Sequence, residues 1–266
     1  MKTLKLVVTL GLVLALLVGC QGTSSEKIIL KVGASPVPHA ELLELVKEDL
    51  ATEGIELDII EFTDYVQPNL ALAQGDLDAN FFQHVPYQNN FAAEHGLELA
   101  AIASVHVEPL GLYSDKVKSI AELKEGSTIA IPADAVNGGR ALILLEQSGL
   151  IKLADSTNLE ATEKDIVENQ HQFNFVAVEA AQLPRVLQDV DAAIINGNYA
   201  LEAGFVPTSD AILLEGSESP YANVITVRAG EENNETYVKL VKALQSDKVV
   251  EFINENYGGG VVPAFN

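Results

Sequence analysis

Ile28-Ile29-Leu30-Lys31-Val32-Gly33-Ala34-Ser35-Pro36-Val37-Pro38 decides the fold class of this chain. Residues 28–34 form a short apolar run of strand length, rich in β-branched side chains. Two prolines then end it. Proline has no N–H to donate and pushes its predecessor toward extended backbone, so no regular helix can start at Ser35. From Ala40 to Ala51 the pattern changes period. Leu42, Leu43, Val46 and Leu50 lie on one face of a helix. Ile55 to Phe62 is strand-like again. Strand, turn, helix, strand is the unit of an α/β fold.

The alternation continues downstream. Pro68–Ala73 reads as a short helix, Asp78–Phe82 as a strand and Pro86–Glu94 as a helix. A second set follows: strand 128–131, helix 138–147, strand 173–178, helix 182–188 and strand 192–195. Strands at 212–215 and 223–228 come next, and helices 233–245 and 248–256 close the chain. The pattern predicts parallel sheets in two α/β units. The simplest topology has the chain crossing twice, near 110–114 and 220–226. Residues 28–112 plus 226–266 then form one lobe and 113–225 the other. The last two helices pack on the first lobe. In such folds ligands sit outside the carboxyl ends of the strands and in the cleft between domains.

Upstream, Lys2 and Lys5 precede an apolar run, Leu6 to Val18, that is shorter than the roughly 20 residues needed to cross a bilayer. It has the length of a secretory signal core. The run closes on Leu17-Val18-Gly19-Cys20, which resembles a bacterial lipobox and holds the chain's one cysteine. Residues 1–19 read as a signal peptide and 20–27 as a lipidated tether. Cys20 is the acylation site, with palmitate among the expected chains, holding the protein on the extracytoplasmic face of the cell membrane. Removing the two leader lysines takes the formal charge from −22 to −24. That charge repels nucleic acid and anionic lipid. With 48% apolar residues the remainder can build a full core.

Three groups of residues fall just after predicted strands. Arg140 is one of only three arginines, one turn into a helix that the sequence starts at Asn137-Gly138-Gly139. A helix start offers free amides to an anion, and a guanidinium adds a fork that fits a carboxylate. Glycines would let a ligand approach the backbone. Tyr65, Phe82, His84 and Tyr87 cluster after two successive strands, and aromatic rings suit a thioether. Phe81 alternates with Phe82, so one faces the core and Phe82 is assigned to the cleft. Asn196, Asn198 and Asn223 can each both donate and accept. Asn196 could equally cap the following helix, and Asn223 could serve the turn or hinge.

The ordered motifs Val32–Glu41, Asp64–Asn69, Asp78–Tyr87, Gly138–Leu142, Gly149–Leu153, Gln182–Arg185 and Ser219–Asn223 together resemble the methionine-binding lipoproteins of bacterial ABC importers, the MetQ/NlpA family. The resemblance runs from Val32 to the C-terminus. It implies an α/β, two-lobe periplasmic-binding-protein fold of the type II kind, closing on L-methionine or a close relative. It further implies a monomer that delivers its ligand to a membrane permease driven by an ATPase, with no cofactor, and it makes Asn223 a ligand contact. The chain departs from the family pattern at Ala133 and Val136, where an amide and a hydroxyl are missing. A methionine-containing dipeptide or another apolar amino acid therefore stays open as the ligand.

Two other readings are weaker. His39, His84, His95, His106 and His171 show no i, i+4 pairing of the kind that marks a metal site, so no metal is expected. A metal-binding lipoprotein would need them to converge in space. For an enzyme, the sequence offers no nucleophile elbow, no P-loop and no free nucleophilic cysteine. A hidden pair of carboxylates in the cleft is the form a cleft enzyme would take.

Overall fold

The computed structural model describes residues 27–216 and 219–265. The leader, Cys20 and tether residues 21–26 lie outside the described residues. In chain order the strands are β1 (Ile28–Ala34), β2 (Ile55–Glu61), β3 (Ala79–His84), β4 (Leu99–Val107), β5 (Gly111–Tyr113), β6 (Thr128–Pro132), β7 (Lys152–Leu153), β8 (Ile166–Glu168), β9 (Asn174–Val178), β10 (Ala192–Ile195), β11 (Leu213–Leu214), β12 (Ala222–Arg228) and β13 (Val262–Pro263). They form a six-stranded sheet ordered β13-β4-β12-β3-β1-β2 and a five-stranded sheet ordered β11-β5-β10-β6-β9. A small ribbon, β7-β8, stands apart.

The helices are α1 (Glu41–Thr52), α2 (Gln67–Gln74), α3 (Val85–His95), α4 (Ala135–Gln147), α5 (Leu183–Val186), α6 (Gly197–Glu202), α7 (Pro207–Asp210), α8 (Glu235–Leu244) and α9 (Asp247–Asn256). The stretch after the first strand, Pro36–Ala40, makes a kinked helical turn with Val37 in extended conformation.

Each sheet has its own core. Leu30 and Val32 of β1, Leu42, Val46 and Leu50 of α1, Leu240 and Leu244 of α8, and Val249 and Ile253 of α9 are buried together on the first sheet. Ile129 and Ile131 of β6, Leu142 and Leu145 of α4, and Ile194 of β10 do the same on the second. Removing such side chains from water is the main driving force, about 1.5–3 kcal/mol for each fully buried Leu or Ile.

Neither sheet is purely parallel, contrary to the sequence expectation. β1, β2 and β3 run parallel, but β12 is antiparallel to both β3 and β4. In the second sheet β5 is antiparallel to β10. The cause is where the chain crosses. It leaves β4 at Val107 and enters β5 at Gly111, opposite Ile195 at the carboxyl end of β10. It returns into β12, whose Asn223 pairs with His84 at the carboxyl end of β3. A strand entering from the carboxyl ends of its neighbours must run against them. Residues 222–225, expected in the second unit, already pair with the first sheet.

The sequence reading also has no strand at 99–107. Its run of alanines is poor strand material taken alone. β4 forms because β12 pairs with it from Leu99 through Val107 and β13 covers its end.

Candidate functional site

The carboxyl ends of the two sheets face each other across a cavity. Tyr65, Phe82, His84, Tyr87, Asn137, Arg140, Asn196, Asn198 and Asn223 all line it. Gln83, Glu108 and Gly197 join them. The halves touch directly. Tyr65 donates its hydroxyl to Asn198 Oδ1 at 2.5 Å, and Tyr199 donates to the Thr63 carbonyl at 3.2 Å. The described conformation is therefore closed.

The aromatic wall is anchored by β3, in which every residue is buried. Alternation along the strand sends Phe81 into the first core and Phe82 toward the cavity. Tyr65 sits at the centre, with ring centroids 5.9 Å from Phe82, 5.7 Å from Tyr87 and 5.0 Å from Tyr199 of the second unit. Tyr87 fixes the loop by donating to the Tyr65 carbonyl at 3.0 Å. Beneath this wall Gln83, Asn69 and Asn80 form a buried amide network with bonds of 2.7–3.0 Å, which leaves β3 little room to shift.

His84 ends β3 and caps α3, its Nδ1 accepting from the Tyr87 backbone N–H at 3.2 Å. That role puts the proton on Nε2, which faces Asn137 Oδ1 at 3.3 Å across the cleft. Burial, then the Arg140 charge, lowers the His84 pKa to about 3, so the ring is neutral. Asn196 Nδ2 donates to the same Asn137 oxygen at 2.9 Å. Asn196 does stand at the start of α6, but its side chain makes no capping bond. Its Oδ1 is buried without a partner.

Arg140 differs from its sequence reading in three respects. First, α4 starts at Ala135, and Asp134 caps it by accepting the Asn137 N–H at 2.9 Å. The helix end is thus already occupied by an acid. Second, Gly138 and Gly139 serve packing. A Cβ on Gly139 would lie 2.2 Å from the Leu159 carbonyl oxygen, and one on Gly138 would lie 3.0 Å from the Pro132 oxygen. Third, the guanidinium is ion-paired. Nε donates to Glu215 Oε1 at 3.1 Å, and Nη2 reaches the other carboxylate oxygen. Nη2 also donates to the Glu108 carbonyl at 2.9 Å, and the Tyr221 ring lies 4.3 Å from the guanidinium carbon. One side chain so ties Glu108 on the first crossing, and Glu215 and Tyr221 on the second, to α4. Among the described residues, Nη1 has no hydrogen-bond partner.

Glu108 escaped the sequence reading, as did Glu215 and Tyr221. The signal for Glu108 was present: it is the one charged residue between Leu99 and Tyr113. Its Oε1 accepts from His106 Nε2 at 2.7 Å and from Asn223 Nδ2 at 3.3 Å, and lies 3.3 Å from His39 Nε2. The donor atoms of His39, His106 and Glu108 lie within 4.8 Å of one another, the spacing a metal ion could use. Direct hydrogen bonds account for the same spacing. Burial lowers His39 to about 4 and His106 to about 3 and raises Glu108, with His39 and Arg140 opposing that rise. Of the other histidines, His95 stacks on Phe91 and His171 on Phe173. The two positions where the chain departs from the motif pattern do not reach the cavity wall: Ala133 is exposed and Val136 is buried in α4.

Residues 30–265 match the NlpA lipoprotein family. A probable D-methionine-binding lipoprotein MetQ of Pasteurella multocida is 42% identical over 235 residues, 88% of this chain and 85% of its own. The D-methionine-binding lipoprotein MetQ of Escherichia coli is 41% identical over 249 residues, 92% of each chain. A nutrient-binding protein of Burkholderia cenocepacia, solved bound to methionine, superposes with a TM-score of 0.86 at 46% identity. That alignment covers 89% of this chain and 100% of the other.

Proposed function

The chain belongs to the NlpA lipoprotein family, and from that premise we propose that it is the solute-binding lipoprotein of an ABC importer, with methionine as its ligand. The observation that carries this reading is the composition of the closed cavity. Four aromatic or imidazole rings line it from the first unit with Asn223 beside His84, and one guanidinium and three asparagines, Asn137, Asn196 and Asn198, line it from the second.

In this reading the ligand carboxylate takes the Nη1 edge of Arg140 together with the Asn198 amide, whose Nδ2 is buried without a partner, while Asn137, held by Asp134, His84 and Asn196, keeps the wall in place. The thioether enters the Tyr65, Phe82, His84, Tyr87 wall, where each sulfur–ring contact adds ~0.3–1.5 kcal/mol. Asn223 and Asn196 face the amino group. The two sheets with their helices act as lobes hinged at 108–110 and 219–221. A ligand touching both lobes shifts the population toward the closed form. The closed form then delivers its cargo to the permease and its ATPase. The protein works as a monomer tethered through acylated Cys20 on the extracytoplasmic face. It binds and releases rather than converts.

Calorimetry and thermal shift of the protein lacking residues 1–20, against L-methionine, D-methionine and a methionine dipeptide, test the reading. Ligand at about 100 times its dissociation constant adds about 2.7 kcal/mol of stability. No binding of either enantiomer refutes it.

A further inference from the structure

We propose that the Glu108 carboxylate is the counter-ion for the ligand's ammonium group, and so the residue that makes this cavity selective for an amino acid over the corresponding carboxylic acid. The inference rests on the reading of the cavity as an amino-acid site. It adds a residue and a chemical class of recognition to that site.

Four observations carry it. Glu108 is the one acid among the residues lining the cavity, and only 5% of its surface is exposed. Its Oε1 is held by neutral donors alone. A carboxylate oxygen only accepts, so His106 presents Nε2–H to it, while His39 Nε2, 3.3 Å away, is hydrogen-bonded to Asn223 Oδ1, and both Nδ1 atoms are left buried without partners. Asn223 adds an amide N–H. The nearest full positive charge, Arg140, gives its Nε edge to Glu215 and touches only the main-chain carbonyl of Glu108. The acid thus has fixed, oriented donors but no cation of its own. A buried anion in that state gains strongly from a cation brought by the ligand. Finally, the cavity contains an acceptor without a partner, Asn196 Oδ1, in a residue only 6% exposed. An ammonium has three donors to share between it and the Glu108 carboxylate.

Gly197 shows how closely the acid is fitted. A Cβ there would lie 2.6 Å from Glu108 Cβ and 3.1 Å from Oε2, so the turn into α6 must be glycine for the carboxylate to occupy its place. The two histidines and Asn223 come from the first sheet and its connections, whereas Gly197 comes from the second. Glu108 therefore reads both halves of the closed cleft at once.

The test compares L-methionine with its desamino analogue, methylthiobutanoate, by calorimetry on the wild type and on Glu108→Gln. The wild type should prefer methionine by about 100-fold or more, and Glu108→Gln should shrink that preference to about tenfold or less, mostly by weakening methionine. An equal loss for both ligands in the variant, or equal affinities in the wild type, overturns the proposal. A wild type that binds neither ligand removes the amino-acid reading itself, a different outcome from methionine binding without discrimination. Should Glu108→Gln not fold, a crystal structure of the wild type with L-methionine decides. An ammonium nitrogen about 3 Å from a Glu108 carboxylate oxygen supports the assignment, and one beyond about 4.5 Å overturns it.

Discussion

Tyr65 and Asn198 lie 133 residues apart in sequence and meet across the cleft, hydroxyl to amide oxygen, at 2.5 Å. The same ring packs on Tyr199 behind the cleft and on Phe82 and Tyr87 in the cavity wall. One side chain thus joins the contact between the halves to the aromatic wall of the cavity. Tyr65→Phe keeps the ring and removes the latch, leaving Asn198 Oδ1 without its donor. A loss of about 1–2 kcal/mol is expected in the closed state, or roughly 5- to 30-fold in methionine affinity by calorimetry. An unchanged affinity would show that the latch does not contribute.

Arg140 has a structural duty that is independent of any ligand. Its partner Glu215 is only 12% exposed, so Arg140→Ala leaves a mostly buried carboxylate alone. Breaking such a pair from one side costs about 3–5 kcal/mol, and the partial exposure here places the loss near 3 kcal/mol. The melting temperature of the ligand-free protein should therefore fall, and Arg140→Lys should recover only part of it because an ammonium lacks the fork. An arginine that served the ligand alone would leave the ligand-free melting temperature where it was.

Acid should destabilise the closed protein through its buried histidines. His39, His84 and His106 are held neutral by burial, with folded values lowered to about 4, 3 and 3 against an ordinary value of 6.5. Between pH 6.5 and about 4 the unfolded chain binds the extra protons, so stability is present above that window and is lost as pH falls. Glu108, Asp134 and Glu202, all raised by burial, take up protons in the folded state and oppose the loss. Denaturant melts at pH 7, 6 and 5 should show falling stability, and His39→Gln should reduce the slope. A flat profile would contradict neutral buried rings.

Gly139→Ala separates packing from ligand access. The new methyl would strike the Leu159 carbonyl at 2.2 Å, a backbone atom that cannot turn away. Overpacking of this kind costs about 1–3 kcal/mol. The expected result is a lower melting temperature with near wild-type methionine affinity. Lost affinity at unchanged stability would restore the glycine to the ligand.

Much of this architecture could be read from local pattern. A strand broken by Pro36 and Pro38, followed by a 3.6-residue period, identifies α/β without any long-range information. The alternation at Phe81 and Phe82 separates core from cleft because neighbouring strand residues must face opposite ways. The polar and aromatic residues after β3, β10 and the first turn of α4 could be picked out because strand ends are where such folds open. β4 could not, since its alanines become a strand only between β12 and β13. Nor could the direction of β12 and β5, which depends on the end of the sheet at which the chain arrives.

The sequence by itself determined the class of fold, the side of each strand and the chemical kinds gathered at the strand ends, since these follow from residue periodicity over a few turns of chain. Tertiary structure alone decided which charges meet. Arg140 and Glu215 are 75 residues apart, and Asn223 and Glu108 are 115 apart. Their pairing arises only where two crossings bring four segments to one point. There the exclusion of water gives each charge a fixed partner, or leaves it waiting for one.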